Sequence, residues 1–202
     1  MAGNRNRIAG LTADFIVVFF GITLAFFVEN YREELIERAA FERTLDGLIV
    51  ELTHYRERGV AHSTQIEDRI REWDEKHAAG IRAVPGYYRL PGAPSPPHSA
   101  WEVALATGAT RLIPPELRME IGWFYEEYIG IHENYRRYNV ITEGELMPRE
   151  YAGADAFYGD DAELLPIFRV HRTLQLEFAA DLERLSLAAG GLASELEALR
   201  SS

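Results

Sequence analysis

Between Phe15 and Val28 the chain reads FIVVFFGITLAFFV, a stretch without a single charge. Water is a poor solvent for such a run, and few folds can hide it. Counting back to Ile8, through Asp14, gives 21 residues. At about 1.5 Å per residue a helix of that length spans roughly 30 Å, the thickness of one bilayer core. A cleaved signal peptide fits poorly, because no small-x-small cleavage site follows and the chain continues Glu29-Asn30-Tyr31-Arg32-Glu33. The expectation is a transmembrane helix over Ile8–Val28, preceded by a short tail at residues 1–7. Arg5 and Arg7 on that tail favour a cytoplasmic N-terminus. The bulk of the chain, 29–202, is then extracytoplasmic, anchored in the inner membrane of a bacterium and lying in the periplasm if the cell is Gram-negative.

The faces of this helix differ. At 100° per residue Asp14, Val18, Gly21, Ala25 and Val28 fall within roughly 80° of one another. Phe15, Phe19, Phe20, Phe26 and Phe27 lie on the other side. Gly21-x-x-x-Ala25 is a small-xxx-small pair, which lets two helix backbones approach closely. The small face is therefore expected to pack on another helix, from a second copy or from another membrane protein, with the phenylalanines toward lipid. Asp14 lies on the same face, about two turns inside the span, where its carboxylate can reach the headgroups near Arg5 and Arg7.

Beyond Glu29 the period is helical. No proline occurs before Pro85. Phe41, Leu45, Leu48, Leu52 and Tyr55 recur at steps of four and three, a heptad-like, coiled-coil seam. Ile66, Ile70, Trp73 and His77 resume it after Gly59, where a break or bend is expected. Pro85 to His98 holds five prolines and two glycines and reads as a loop, about 81–98. A short helix is expected after Ser99 as N-cap, ending near Gly108. Pro115 and Glu116 suit a helix start. From there Leu117, Ile121, Phe124, Tyr128, Ile131, Tyr135 and Tyr138 keep the rhythm. Trp123 and Tyr125 widen an aromatic face whose members Phe124, Tyr128, Tyr135 and Tyr138 are read as core rather than as a sugar or peptide site. A loop at 152–161 precedes a last helix from about Ala162. Its seam runs Leu164, Phe168, His171, Gln175, Phe178, Leu182, Leu185, Ala189, Leu192, Leu196 and Leu199, with a kink or end expected at Gly190-Gly191. No stretch alternates with period two, so no sheet is expected. The fold class is all-α: one transmembrane helix followed by an antiparallel bundle of about three to four helices.

Gly21-Ile22-x-x-Ala25, followed by Asn30, Tyr31 and Glu33-Glu34, resembles the membrane segment and exit of uncharacterised bacterial single-pass proteins, in which G-I-x-x-A leads into N-W-x-E-E. Tyrosine replaces the tryptophan here, at Tyr31. A second similar stretch runs Thr107-Gly108-Ala109-Thr110-Arg111-Leu112-Ile113 ahead of Glu116-Leu117-Arg118. The resemblance covers about a quarter of the chain. It implies a membrane-anchored helical protein and supplies no activity.

The chemistry is sparse. A net charge of -11 argues against nucleic acid as partner, because phosphate binding needs a basic surface. Cysteine is absent, which excludes disulfides and thiolate metal sites. There is no G-x-S-x-G, Walker loop, dinucleotide fingerprint or H-E-x-x-H. Glu51-x-x-His54 has the spacing used in carboxylate-bridged di-iron bundles, and Asp74-x-x-His77 repeats it. Both lie on one helical arm, whereas such a site needs facing helices, so no metal or other cofactor is expected. His171 on the apolar seam, with Gln175 one turn on, is read as a buried polar network that fixes bundle register. The expected function is non-enzymatic: an anchored interaction or scaffold protein with the lipid bilayer and a second chain as partners. Two alternatives stay open, an extracytoplasmic sensory or ligand-binding module acting through a partner, and an ion-coupling subunit. The latter rests on Ala13-Asp14-Phe15 ahead of the apolar run, which is similar to the stator subunits of proton-driven motors.

Overall fold

The computed structural model describes the backbone of residues 3–88 and 99–201 and the side chains of 19–88 and 99–201. The expected N-cap environment of the helix at Ser99, the proline-rich part of the loop at 89–98, and the side chains of Asp14 and Val18 lie outside the described residues. Five α-helices follow one another: α1 Gly3–Ala78, α2 Ser99–Thr107, α3 Pro115–Ile141, α4 Met147–Glu150 and α5 Pro166–Arg200. The described residues contain no strand, only an isolated antiparallel bridge between Tyr158 and Leu164. The chain divides into two units, Met1–Arg43 and Thr44–Ser202.

The first unit consists of the N-terminal part of α1. Its described hydrogen bonds and ion pairs are local: Thr23 Oγ1 donates to the Phe19 carbonyl (2.8 Å), Arg43 Nε to the Ala39 carbonyl (3.0 Å), and Arg38 pairs with Glu42.

The second unit is a three-helix bundle of α1 from Thr44, α3 and α5, and the expected seams form its core. Leu45, Leu48, Leu52, Ile66, Ile70 and Trp73 of α1 are buried. So are Leu117, Ile121, Phe124, Ile131, Tyr135 and Tyr138 of α3, and Phe168, His171, Gln175, Phe178, Leu185, Ala189, Leu192 and Leu196 of α5. Direction follows from pairs of contacts. Between Asp46 and Asp74 α1 advances 28 residues, while their partners on α5 run back 28, from Arg200 to Arg172. The two helices are thus antiparallel and in step. α3 is antiparallel to α5, since Glu127 meets Arg184 and Tyr138 meets His171. Against α1, however, α3 runs parallel, because Glu51 meets Tyr125 and Tyr55 meets Tyr128. This corrects the expectation of an antiparallel bundle throughout. The long connection 79–114, which includes α2, carries the chain back to the starting end before α3 begins.

Local chemistry fixes the ends. α1 stops at Gly80, whose φ of 73° suits glycine. There Ile81 N–H donates to the Lys76 carbonyl and Gly80 N–H to the His77 carbonyl, both 2.9 Å, the paired bonds of a Schellman cap. The break expected at Gly59 does not occur. Gly59 is instead where α1 comes closest to α5: a Cβ there would collide with Ser186 Oγ and lie 3.2 Å from the Leu182 carbonyl. α5 likewise runs unbroken through Gly190-Gly191, and at Gly190 an added Cβ would lie 3.0 Å from Arg56 Cδ. α5 begins at Pro166 rather than Ala162. Ala162 takes a left-handed φ of 63°, and Leu165 is extended ahead of the proline ring, which disfavours helix in the preceding residue.

After α3 the ladder widens into a π-turn, Thr142–Leu146, in which Met147 N–H reaches the Thr142 carbonyl. Pro148 has no N–H to donate and its ring crowds the carbonyl four residues back, so the wider register relieves it. Below this turn a second cluster closes the bundle end, with Trp73, Leu146, Phe157, Tyr158, Leu164 and Phe168 packed together.

Candidate functional site

The two units offer different kinds of surface. In the first, the large apolar side chains of the described run are uncovered: Phe19 is 56% exposed, Phe20 67%, Leu24 66%, Phe27 70% and Val28 60%. Of the expected packing face, Gly21 and Ala25 are exposed, and a Cβ added at Gly21 would meet nothing within 4 Å. Asp14 and Val18 lie outside the described side chains. Among the described residues no helix is long and apolar enough to cross a membrane. Side chains of the expected span are described only from Phe19, and the transmembrane helix expected over Ile8–Val28 is not supported by the described residues.

In the second unit two groups of buried polar side chains are joined by hydrogen bonds across elements. Glu51 belongs to the first. Its Oε1 accepts from the Tyr125 hydroxyl (2.7 Å) and its Oε2 from the Ala100 amide (3.0 Å). A carboxylate from α1 thus takes an amide of the first turn of α2 and faces the positive end of its dipole. Trp101 stacks on Tyr125 with ring planes 6° apart. Tyr55 pairs with Tyr128, ring centroids 4.7 Å apart, and packs on Phe124. Burial pushes the Tyr55 and Tyr125 phenols up, with the Glu51 carboxylate adding to the effect at Tyr125 through their hydrogen bond; burial raises Tyr128 to about 12. These hydroxyls stay protonated, and that of Tyr125 donates to Glu51.

The second is a chain of groups that touches every long helix. Tyr138 Oη accepts the Tyr88 amide (2.7 Å) and donates to the Tyr88 carbonyl (2.9 Å). The Tyr88 hydroxyl meets His62 Nδ1 on α1. The Tyr138 ring stacks on His171 of α5, centroids 4.5 Å apart. Thr142 Oγ1 lies 2.9 Å from the Tyr138 carbonyl and 2.8 Å from His171 Nε2. A carbonyl can only accept, so the single hydroxyl hydrogen goes there, and Nε2 must carry the proton that reaches Thr142. His171 is therefore a neutral Nε2–H imidazole. Burial lowers its pKa to about 4. Its Nδ1 and the Nε2 of Gln175, one turn on, have no partner among the described residues. His171 and Gln175 are thus both buried, but the bond of His171 runs to Thr142, in the turn that follows α3, rather than to Gln175.

The aromatic face resolves into core: Phe124, Tyr135 and Tyr138 are buried and Tyr128 is half-buried. Trp123, expected to widen that face, points outward at 66% exposure. The weak metal candidates do not converge, since both Glu51 oxygens are occupied and His54 is exposed. Asp74 accepts Arg172, and His77 stacks on Trp73 at 4.8 Å. Among the described residues no cluster of three His, Asp or Glu side chains is arranged to hold a metal ion. Two open clefts lie on this unit, one of about 190 Å³ beside Arg69, Trp73 and Tyr87 and one of about 490 Å³ beside Glu133, Arg136 and Glu143. Comparison with protein-family models, with curated proteins and with solved structures found no match.

Proposed function

We propose that this protein is a single-pass membrane anchor that displays a helical bundle outside the cytoplasm and works by interaction rather than catalysis. One observation carries the reading: a helical stretch whose large apolar side chains are left exposed among the described residues. Phe19, Phe20, Ile22, Leu24, Phe26, Phe27 and Val28 are all at least half exposed. Burial of such side chains is worth roughly 1.5–3 kcal/mol each, so leaving them in water forfeits on the order of 10 kcal/mol. That is comparable to the whole stability of a domain. Lipid removes the penalty for a helix that is apolar all round. The uncharged sequence from Phe15 to Val28, extended to Ile8, has the length for it.

The small face Asp14, Val18, Gly21, Ala25 and Val28 is the contact surface in this reading, engaging a second copy or another membrane helix. The chain has no cysteine, so single cysteines report contacts without background. Gly21→Cys and Ala25→Cys are expected to form disulfide-linked species in native membranes, with Phe20→Cys and Phe27→Cys doing so far less. A linked mass of twice the chain identifies a second copy, and any other mass a different partner. Recovery of the full-length protein in the soluble fraction of lysed cells would overturn the anchor. Equal cross-linking from both faces would overturn the contact surface.

A further inference from the structure

Segment 81–88 leaves α1 and runs back along it without helix or strand of its own, so its backbone polar groups need other partners. Side chains of the bundle supply them at two residues five apart. At Ala83 the Tyr158 hydroxyl accepts the amide (3.1 Å) and donates to the carbonyl (2.7 Å), and Trp73 Nε1 adds a donor at 3.3 Å. At Tyr88 the Tyr138 hydroxyl does the same with amide and carbonyl. Each tyrosine oxygen thus mimics a neighbouring strand. The segment lies tight on α1 between the two clamps: a Cβ at Gly86 would come within 2.6 Å of the Arg69 carbonyl.

The two clamps differ in what stands behind them. The Tyr88 clamp is backed by a histidine on either side, His62 on the Tyr88 hydroxyl and His171 under the Tyr138 ring. We infer that segment 81–88 is an acid-released strap, held at Tyr88 by two neutral imidazoles and freed at that end when they take up protons. A proton arriving at His171 must go on Nδ1, which no acceptor faces. The cation would sit buried against the Tyr138 ring with one N–H unsatisfied, a costly arrangement. At His62, protonation fixes Nδ1 as a donor to the Tyr88 oxygen, so the bond reverses, and what opposes the proton is the charge placed at a half-buried site beside Arg58. The neighbouring charges oppose protonation. Arg58 acts on His62, and Arg58 and Arg69 act on Tyr88. Tyr135 is the titratable group of α3 beside Tyr88, and Tyr138 is the one facing His171. Burial is the cause of the lowered pKa at His171, and burial followed by Arg58 the cause at His62. The Ala83 clamp has no such dependence at its hydrogen bonds, although His77 stacks on Tyr158 from the exposed side.

Hydrogen exchange of the full-length protein in lipid nanodiscs, expressed as protection factors to remove the intrinsic pH effect, tests this. From pH 7.5 to pH 5, protection at the Tyr88 amide is expected to fall about tenfold, the equivalent of one pKa unit of differential protonation. Core amides of α3 between Leu117 and Ile131 open only with the whole bundle, and their protection is expected to stay well above that of Tyr88 at both pH values. In the His62→Gln, His171→Gln double variant the pH dependence at Tyr88 is expected to disappear. His62→Gln alone, at a half-buried site, covers the case in which the double variant does not fold, and is expected to reduce the drop. Gly86→Ala, which touches no titratable group, is expected to open the strap at both pH values. Unchanged Tyr88 protection in the wild type at pH 5 would overturn the inference. So would protection at Tyr88 no lower than that of the α3 core at pH 5, or an undiminished pH response in the histidine variants.

Discussion

One helix, α1, contains two stretches with the same backbone geometry and opposite side-chain fates. Over residues 19–36 its large apolar side chains are 51% to 70% exposed. Over 45–70 Leu45, Leu48, Leu52 and Ile66 are at most 1% exposed. The second stretch has fewer apolar residues than the first, and what differs is their arrangement. A stripe at steps of three and four presents one face to a partner helix and leaves the rest for water. Apolar residues on every side cannot all be covered by one neighbour, and they call for a surrounding solvent of their own kind.

The sharpest way to break this contrast is to make the same substitution in both stretches. Leu52→Ala removes a fully buried side chain and is expected to destabilise the bundle by about 2–5 kcal/mol. Leu24→Ala, at a side chain 66% exposed, is expected to change bundle unfolding by less than about 0.5 kcal/mol. Urea unfolding of the full chain in mild detergent measures both. Comparable losses would mean that the apolar run belongs to the same folding unit as the core.

Acid is expected to act next most strongly, and only on the bundle. His171 stays neutral in the folded protein, with a pKa near 4, but titrates near 6.5 once unfolded. The unfolded chain therefore binds the extra proton first as pH falls. Stability is complete above about 6.5, declines between 6.5 and 4, and levels off below that, with a total loss of about 3 kcal/mol from this residue. Unfolding free energies from pH 7.5 to 3.5 should show that slope in the wild type and a shallower one in His171→Gln.

A smaller effect is expected where α1 and α5 touch. Alanine at Gly59 gains about 1 kcal/mol of helix propensity, yet its Cβ collides with Ser186 Oγ. Overpacking costs about 1–3 kcal/mol, so the clash wins and Gly59→Ala is expected to lower the melting temperature. Ser186→Ala removes the obstructing oxygen, and the double variant should recover most of the loss. Additive losses would place the strain elsewhere.

The sequence made the seams legible because each apolar residue reports its own face: every interior position of the stripes in α3 and α5 is buried or half-buried. Pairings between distant segments left no such mark. Nothing in the spacing around Glu51 indicates that its carboxylate takes an amide of α2, 49 residues away. Gly59 reads locally as a helix breaker, and only the approach of α5 turns it into a packing requirement. The parallel arrangement of α1 and α3 depends on where the connection returns the chain, which periodicity does not encode. Tyr88, Tyr138 and Tyr158 look like ordinary apolar positions, because the bonds their hydroxyls make to the strap join residues 50 and 75 apart. Pro148 did carry a local signal, since a proline four residues after a helical carbonyl forces the ladder to widen.

The smallest expected effect locates the boundary between the two stretches. Two carboxylates four residues apart stand on either side of it. Glu42 pairs with Arg38, within one turn of the same helix. Asp46 pairs with Arg200 at 2.7 Å, across 154 residues, and ties α1 to the end of α5. Both pairs are largely exposed, so neither is worth more than about 1 kcal/mol, and both weaken with salt. They differ in what unfolding of the bundle does to them. Separation of α1 from α5 breaks the Asp46 pair, whereas a local pair on the first stretch survives as long as that stretch stays helical. Asp46→Asn is therefore expected to lower bundle stability by about 0.2–1 kcal/mol at low ionic strength, and Glu42→Gln to leave it unchanged. Exchanging the charges with Asp46→Arg and Arg200→Asp should restore what either single reversal loses. If Glu42→Gln proved as costly as Asp46→Asn, the bundle would extend past Thr44 toward the apolar run, and the contrast between the stretches would have to be drawn nearer to Val28.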